Sequence, residues 1–167
     1  MKGIVLFEGQ YGSTEQYARW IGEELAFPVM SCRDAAITEL PDYDAIVIGS
    51  SVTGGSLRAK KWIRRRWNDI RGKRVFLFTV SCTPEWTEER FARFIASQFT
   101  FDISAAIRAF PLPGRMVFED LPCRIRILLR IASLFMKNPE VRRGMTRSYD
   151  NVNRARIEPL VKTVRGR

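Results

Sequence analysis

The chain has 167 residues, 46% of them hydrophobic, which is enough for one ordinary domain with a sizeable core and short for two. Its formal charge of +10 lies mostly in residues 108–167, a bias that favours polyanionic partners without choosing among lipid head groups, nucleic acid and acidic small molecules. The chain has no histidine, which excludes Ser-His catalysis, a histidine general base and a His-ligated zinc site, and its 3 cysteines (Cys32, Cys82, Cys123), without CxxC spacing, fit a reducing compartment better than a disulfide framework.

At the amino terminus a short apolar run (IVLF) ends at Glu8, unlike a signal peptide, and no stretch reaches the roughly 18 consecutive apolar residues of a bilayer span. A cytoplasmic protein is expected. From there, short apolar runs alternate with helical patterns, as they do where βαβ units build a parallel sheet. The first strand covers residues 3–7 and turns through Gly9 and Gly12 into a helix at 14–26, with Ser13 and Thr14 at its start. Free N–H groups, a positive dipole end and hydroxyls suit a phosphate there, although the same pattern serves a ligand-free turn with a hydroxyl cap. A strand at 28–32 and a crossover holding about one helical turn lead to a third strand at 44–50. Its "AIVIG" is continuously apolar, as expected for a strand buried on both faces.

The third strand ends in "GSSVTGGS" (49–56), small residues that let the backbone approach a ligand or simply turn. A helix at 56–70 carries "RAKKWIRRRW", with Lys61, Arg64 and Arg65 on one solvated face and Ile63 and Trp67 inward. A nucleic-acid contact there would need stacking aromatics on an exposed groove. A fourth strand at 73–81 runs into "SCTPEW" (81–86), where Trp86 either stacks on a ligand or is a partly buried surface aromatic. A helix at 87–99, a fifth strand at 103–110 and a last helix at 150–164 complete an α/β, doubly wound five-stranded parallel sheet with helices on both faces. Ser148 or Asp150 is expected to cap the last helix and Pro159 to kink it or limit its length.

A doubly wound domain does not require the residues between the fifth strand and the last helix, which include "LPCRIRILLRIASLFMKN" (121–138). On a helical projection Arg126, Arg130, Ser133 and Lys137 form a polar stripe roughly 60° wide, with Arg124 outside it. One use is a helix packed on the domain or in a homodimer interface. The other is a membrane-surface helix whose basic residues snorkel toward head groups. Nucleic acid is the weakest fit.

The loop after the first strand resembles the flavodoxin signature: Val5, Leu6, Phe7, Gly12, Thr14, Ala18 and Ile21 match, and Gly9 departs, standing where that family has Ser or Thr. There is no GxxxxGK[ST] pattern, which sets a nucleoside-triphosphate loop aside. The resemblance implies a flavodoxin-like fold binding FMN, with loops at the carboxyl ends of the strands flanking the switch point. By that resemblance Gln10, Tyr11, Gly12, Ser13 and Thr14 hold the phosphate, while Ser51, Val52, Thr53, Gly54, Ser81, Cys82, Thr83 and Trp86 meet the ring. Thr53 stands where flavodoxins often have a stacking Trp. No metal site is expected.

Residues 48–63 and 110–152 also resemble the menaquinone-dependent protoporphyrinogen dehydrogenases, flavodoxin-type protoporphyrinogen oxidases with a long basic, hydrophobic insertion after the fifth strand, here at about 111–148. This second resemblance implies a flavoprotein oxidoreductase with a porphyrinogen as electron donor and a membrane quinone as acceptor, peripheral on the inner face of the membrane. Arg115, Arg124, Arg142 and Arg143 are then placed to meet propionates, and Arg126, Arg130 and Lys137 to meet substrate or membrane. It implies no catalytic side chain, because the cofactor carries the chemistry. The alternative is a non-enzymatic electron-transfer carrier with a basic docking surface for a redox protein, although the acidic surface typical of such flavodoxins is missing.

Overall fold

Strand residues alternate between two faces, and here both alternations are apolar, so the sheet needs a helical layer on each side. The computed structural model describes residues 1–35, 37–82, 86–120, 123–135 and 147–166. In chain order the elements are β1 (Gly3–Glu8), α1 (Ser13–Leu25), β2 (Val29–Ser31), a 3-10 turn (Ile37–Asp42), β3 (Ala45–Thr53), β4 (Ser56–Leu57) and α2 (Lys60–Ile70). Then follow β5 (Arg74–Ser81), α3 (Glu88–Gln98), α4 (Phe101–Ala106), β6 (Ile107–Pro113), β7 (Arg115–Met116), α5 (Cys123–Leu134), β8 (Tyr149–Asp150) and α6 (Glu158–Arg165). The sheet runs β2-β1-β3-β5-β6 with every neighbour parallel, so the expected five-stranded doubly wound fold is present.

The two faces make two cores. Ile4, Leu6, Ile46, Ile48 and Leu77 pack under α2 and α3, through Ile63, Trp67, Phe91 and Ile95. Val5, Val47, Phe76 and Phe78 pack under α1 and α6, through Tyr17, Ile21, Leu160 and Val164. The face of α2 carrying Lys61, Arg64 and Arg65 is exposed, with Ile63 and Trp67 inward, as its periodicity predicts.

Three boundaries differ from those read in the sequence. Residues 103–106 lie in α4, not in the fifth strand, which runs from Ile107, the partner of Val75, to Pro113. Residues 56 and 57 pair back onto β3, so the following helix starts at Lys60. The last helix starts at Glu158, because Tyr149 and Asp150 are held in β8 and Asn153 caps a 3-10 turn by accepting from the Ala155 N–H. Ser148 and Asp150 therefore do not cap it. Pro159 falls in the first turn of α6, where its missing N–H costs nothing, so no kink arises.

One hydroxyl joins three segments. The Tyr17 ring is fully buried, and its O–H donates to the Pro113 carbonyl at 2.9 Å and accepts from the Asn153 N–H at 3.0 Å. It thereby ties α1 to the end of β6 and to the approach to α6. Burial pushes the phenol above its ordinary value, only partly offset by the Asn153 N–H. Tyr17→Phe keeps the ring and strands both partners, so it is expected to lower the unfolding free energy by about 1–3 kcal/mol in a urea titration with unchanged slope. Because the folded pKa is raised, the hydroxyl's contribution is intact below the ordinary tyrosine value of about 10 and is lost as pH rises beyond it.

Candidate functional site

The strand order reverses between β1 and β3, and the loops leaving their carboxyl ends border a crevice. The first loop, Gly9–Gly12, enters α1 through Gly12 at φ 80°, with no side chain capping the helix. Ser13 and Thr14 are buried, while Gln10, Tyr11 and Gly12 are exposed. Gly9 has a steric cause: a Cβ there would lie 2.7 Å from the Thr14 Cβ and 2.9 Å from its Oγ1. Thr14 fills the space that a side chain at position 9 would take.

The second loop is a hairpin. β3 continues to Thr53, then Val52 pairs with Leu57 and Thr53 with Ser56 around Gly54 and Gly55, both at positive φ as a two-residue type I′ turn requires. Buried Gln98 holds it from α3, accepting from the Leu57 N–H at 3.3 Å and donating to the Gly55 carbonyl at 3.2 Å. In the sequence Gln98 carries no signal of this role and reads as an ordinary helix-end polar residue. Ser51 and Val52 are half-buried, and Thr53 and Gly54 are exposed at the tip.

Among the described residues three buried side-chain polar atoms have no partner: Ser51 Oγ, Arg58 Nε and Thr79 Oγ1. All lie at the carboxyl end of the sheet, where the crevice is. Arg58 also reaches the first loop, donating from Nη1 to Gln10 Oε1 at 2.9 Å. Helix-start N–H groups, hydroxyls and a guanidinium suit a phosphate ester, and the small residues of the second loop leave its backbone open to a flat ring.

In the third loop, Ser81 is buried and Cys82 exposed; Thr83 lies outside the described residues. Trp86 is held on α3. Its ring lies 5.6 Å from Phe91 and 5.1 Å from Phe94, and its indole N–H donates to Ser81 Oγ at 3.1 Å. Of the two roles read for it, the packed aromatic is the one this geometry supports. A cleft of about 900 Å3 opens beside this loop, lined by Ser81, Trp86, Pro111, Pro113, Asn153 and Arg156.

The insertion is strapped to the same loops. β7 and β8 pair antiparallel, and the Arg115 Nε donates to Asp150 Oδ2 at 2.7 Å. Arg115 also donates from Nη2 to Gln16 and from its backbone N–H to Ser13 Oγ. Its guanidinium is thus engaged within the fold, which removes it from the expected propionate contacts. The Tyr149 hydroxyl donates to the Cys82 carbonyl at 3.0 Å, and burial, with Cys82 beside it, pushes that phenol upward.

The polar stripe of α5 lies along its contact with the protein, with Arg126 half-buried and Arg130 exposed at its edge. Arg126 donates to the Glu119 carbonyl, Arg130 lies over the buried Phe118 ring at 5.7 Å and Ser133 is buried. Arg124 is exposed, and Lys137, Arg142 and Arg143 lie outside the described residues. Ile127, Leu128, Ile131, Leu134 and Phe135 point outward, from 50% to 78% exposed. Two electrostatic contacts accompany this orientation, a cation over an aromatic face and a guanidinium at a carbonyl. No helix among the described residues is long and apolar enough to cross a membrane, and none of their Cys, Asp and Glu side chains cluster as a metal site.

Residues 4–115 match the family model described as Flavodoxin domain. The chain is similar in structure to oxidised Flavodoxin 2 from Bacillus cereus, at 17% identity and a TM-score of 0.51, covering 87% of this chain and 93% of that one. A flavoprotein in complex with FMN from Lactobacillus acidophilus NCFM is 16% identical, with a TM-score of 0.45 over 67% of this chain and 91% of that one. No curated protein matches the chain significantly.

The strap is acid-sensitive. The Val152 N–H, and then Arg115, hold the Asp150 carboxyl below its ordinary value, and the Ser148 hydroxyl does the same for Glu119. With folded values depressed, both contributions are present above about pH 4 and lost as pH falls through the folded values. Hydrogen exchange at the Met116 and Tyr149 amides, corrected for intrinsic rates, is expected to accelerate below that pH. Asp150→Asn should show the faster exchange already at neutral pH.

Proposed function

The chain belongs to the flavodoxin family and its cofactor is FMN; from that premise we propose that it is an FMN-dependent oxidoreductase, taking electrons from a porphyrinogen and passing them to a quinone held in a membrane at its inner, cytoplasmic face. The observation that carries this reading is the outward apolar face of α5 on an insertion tied through Tyr149 and Arg115 to the third and first loops. An electron carrier needs only the loops. An enzyme whose acceptor dissolves in lipid also needs an apolar surface beside them, and burying an aliphatic side chain in lipid contributes about 1–3 kcal/mol.

When bound, FMN supplies the redox chemistry. The chain's own residues do the positioning. Ser13, Thr14 and the free N–H groups of the α1 start hold the phosphate, and the Gly54-Gly55 hairpin presents backbone to the ring. With Arg115 committed to Asp150, the cleft beside the third loop offers Arg156 instead to a substrate carboxylate. Arg156 is exposed and makes no ion pair among the described residues, whereas neighbouring Arg154 is taken by Glu23 and Glu24.

Protein reconstituted with FMN is expected to oxidise protoporphyrinogen with a menaquinone analogue. Leu128→Glu combined with Ile131→Glu should abolish flotation with anionic liposomes and turnover with a bilayer-embedded quinone, while leaving flavin content unchanged. Rapid electron exchange with a redox partner and no turnover with any porphyrinogen would establish the carrier in place of the enzyme. Flotation that survives the double substitution would remove α5 as the lipid contact.

A further inference from the structure

We propose that Arg58 is the counter-cation for the flavin phosphate and makes the site selective for phosphorylated over unphosphorylated flavin. The proposal rests on FMN being the cofactor. It starts from how the residue is rooted. Directly after the hairpin, the Arg58 N–H donates to the Ser51 carbonyl at 3.1 Å, and the next N–H, that of fully buried Ala59, donates to Ser50 Oγ at 3.1 Å. The backbone is therefore fixed against β3, and the side chain crosses from the carboxyl end of β3 to that of β1, where Nη1 meets Gln10 Oε1.

The guanidinium is left incompletely satisfied. Its Nε is buried without a partner, and its one side-chain acceptor, the Gln10 amide oxygen, is neutral. Among the described residues no carboxylate lies within ion-pair reach of Arg58, and Glu8, at the end of β1, makes no pair with it. Other arginines, Arg19, Arg66, Arg93, Arg115 and Arg154, do pair with Asp or Glu. A partly buried cation with an unpartnered N–H is unfavourable unless something anionic completes it. Ser51 Oγ, equally buried and unpartnered, lies on the strand residue whose carbonyl anchors Arg58.

The group expected beside Gln10 is a phosphate monoester. Such a group carries about −1.5 to −2 charges near neutral pH, and its oxygens match the fork of a guanidinium. Gln10 holds the arginine toward the loop without neutralising it. The nests and helix starts that bind phosphate elsewhere contribute only partial charges, so a full charge here adds both affinity and sensitivity to salt.

The test is titration of the apoprotein with FMN and with riboflavin, followed by flavin fluorescence quenching at low and high salt. Arg58→Gln is expected to weaken FMN binding by about 10- to 100-fold, the range for a hydrogen bond to a charged group, while riboflavin binding stays within about 2-fold. Arg58→Lys should fall between, keeping the charge and losing the fork. In the wild type, inorganic phosphate should compete with FMN and not with riboflavin, and in Arg58→Gln that competition should weaken along with FMN binding. Equal weakening of both flavins would overturn the proposal, since Arg58 would then be shaping the hairpin. Full FMN affinity in Arg58→Gln would overturn it too, leaving the cofactor assignment standing. A wild type that takes up neither flavin removes both.

Discussion

The Tyr17 hydroxyl is the knot on which the architecture depends. Chain leaves the sheet at Pro113 and returns at Asn153, and both departure and return are hydrogen-bonded to the same oxygen. The excursion between them therefore begins and ends at one fixed point on α1, and the framework closes as if the intervening residues were a short loop. Closing a long loop costs only slowly more than closing a short one, so an insertion with pinned ends adds surface without greatly penalising the fold. The strap of β7 and β8 repeats the closure one step further out, through Arg115 and Asp150.

What the insertion carries is a helix turned against convention. Polar residues of an amphipathic helix normally meet solvent; here Ser133 is buried, and Arg126 and the still exposed Arg130 reach back to the Glu119 carbonyl and the Phe118 ring. The apolar residues are left as the exterior. Exposed apolar residues occurring singly need no explanation, but four on one helix face and Phe135 directly after it constitute a surface of one kind.

The parts of this molecule legible in its sequence are those governed by local composition. Continuous apolar runs such as AIVIG and VFLFTV announce strands covered on both sides, and the Gly-rich loop entering a Ser-Thr helix start announces the first loop. The solvated face of α2 follows from spacing alone. Less was readable where the answer lies across the fold. A helical projection of α5 gives the width of the polar stripe but not its direction, which Phe118 decides. Gly54 and Gly55 look like residues that clear space for a ring, yet their partners Thr53 and Ser56 make them a turn. Trp86 is drawn away by Phe91 and Phe94, and Arg58 sits inside a basic run with the solvated Lys61, Arg64 and Arg65, so nothing local separates it from them. The substitution of Gly at position 9, an apparent loss of a phosphate donor, is explained only by the position of Thr14.

The division of the core has a bearing on biosynthesis. The face of β1, β3 and β5 that carries Val5, Val47, Phe76 and Phe78 is covered partly by α1 and partly by Leu160, Val161 and Val164 of α6. The opposite face is complete once α4 and the start of β6 have been made, with Ile103 and Ile107. On a ribosome, where segments emerge in order, the first face must wait for residues beyond 157 while the insertion, with its own apolar helix, is already outside the tunnel. A nascent chain of this design presents two unsatisfied apolar surfaces together, and it depends on whatever holds them apart until α6 arrives.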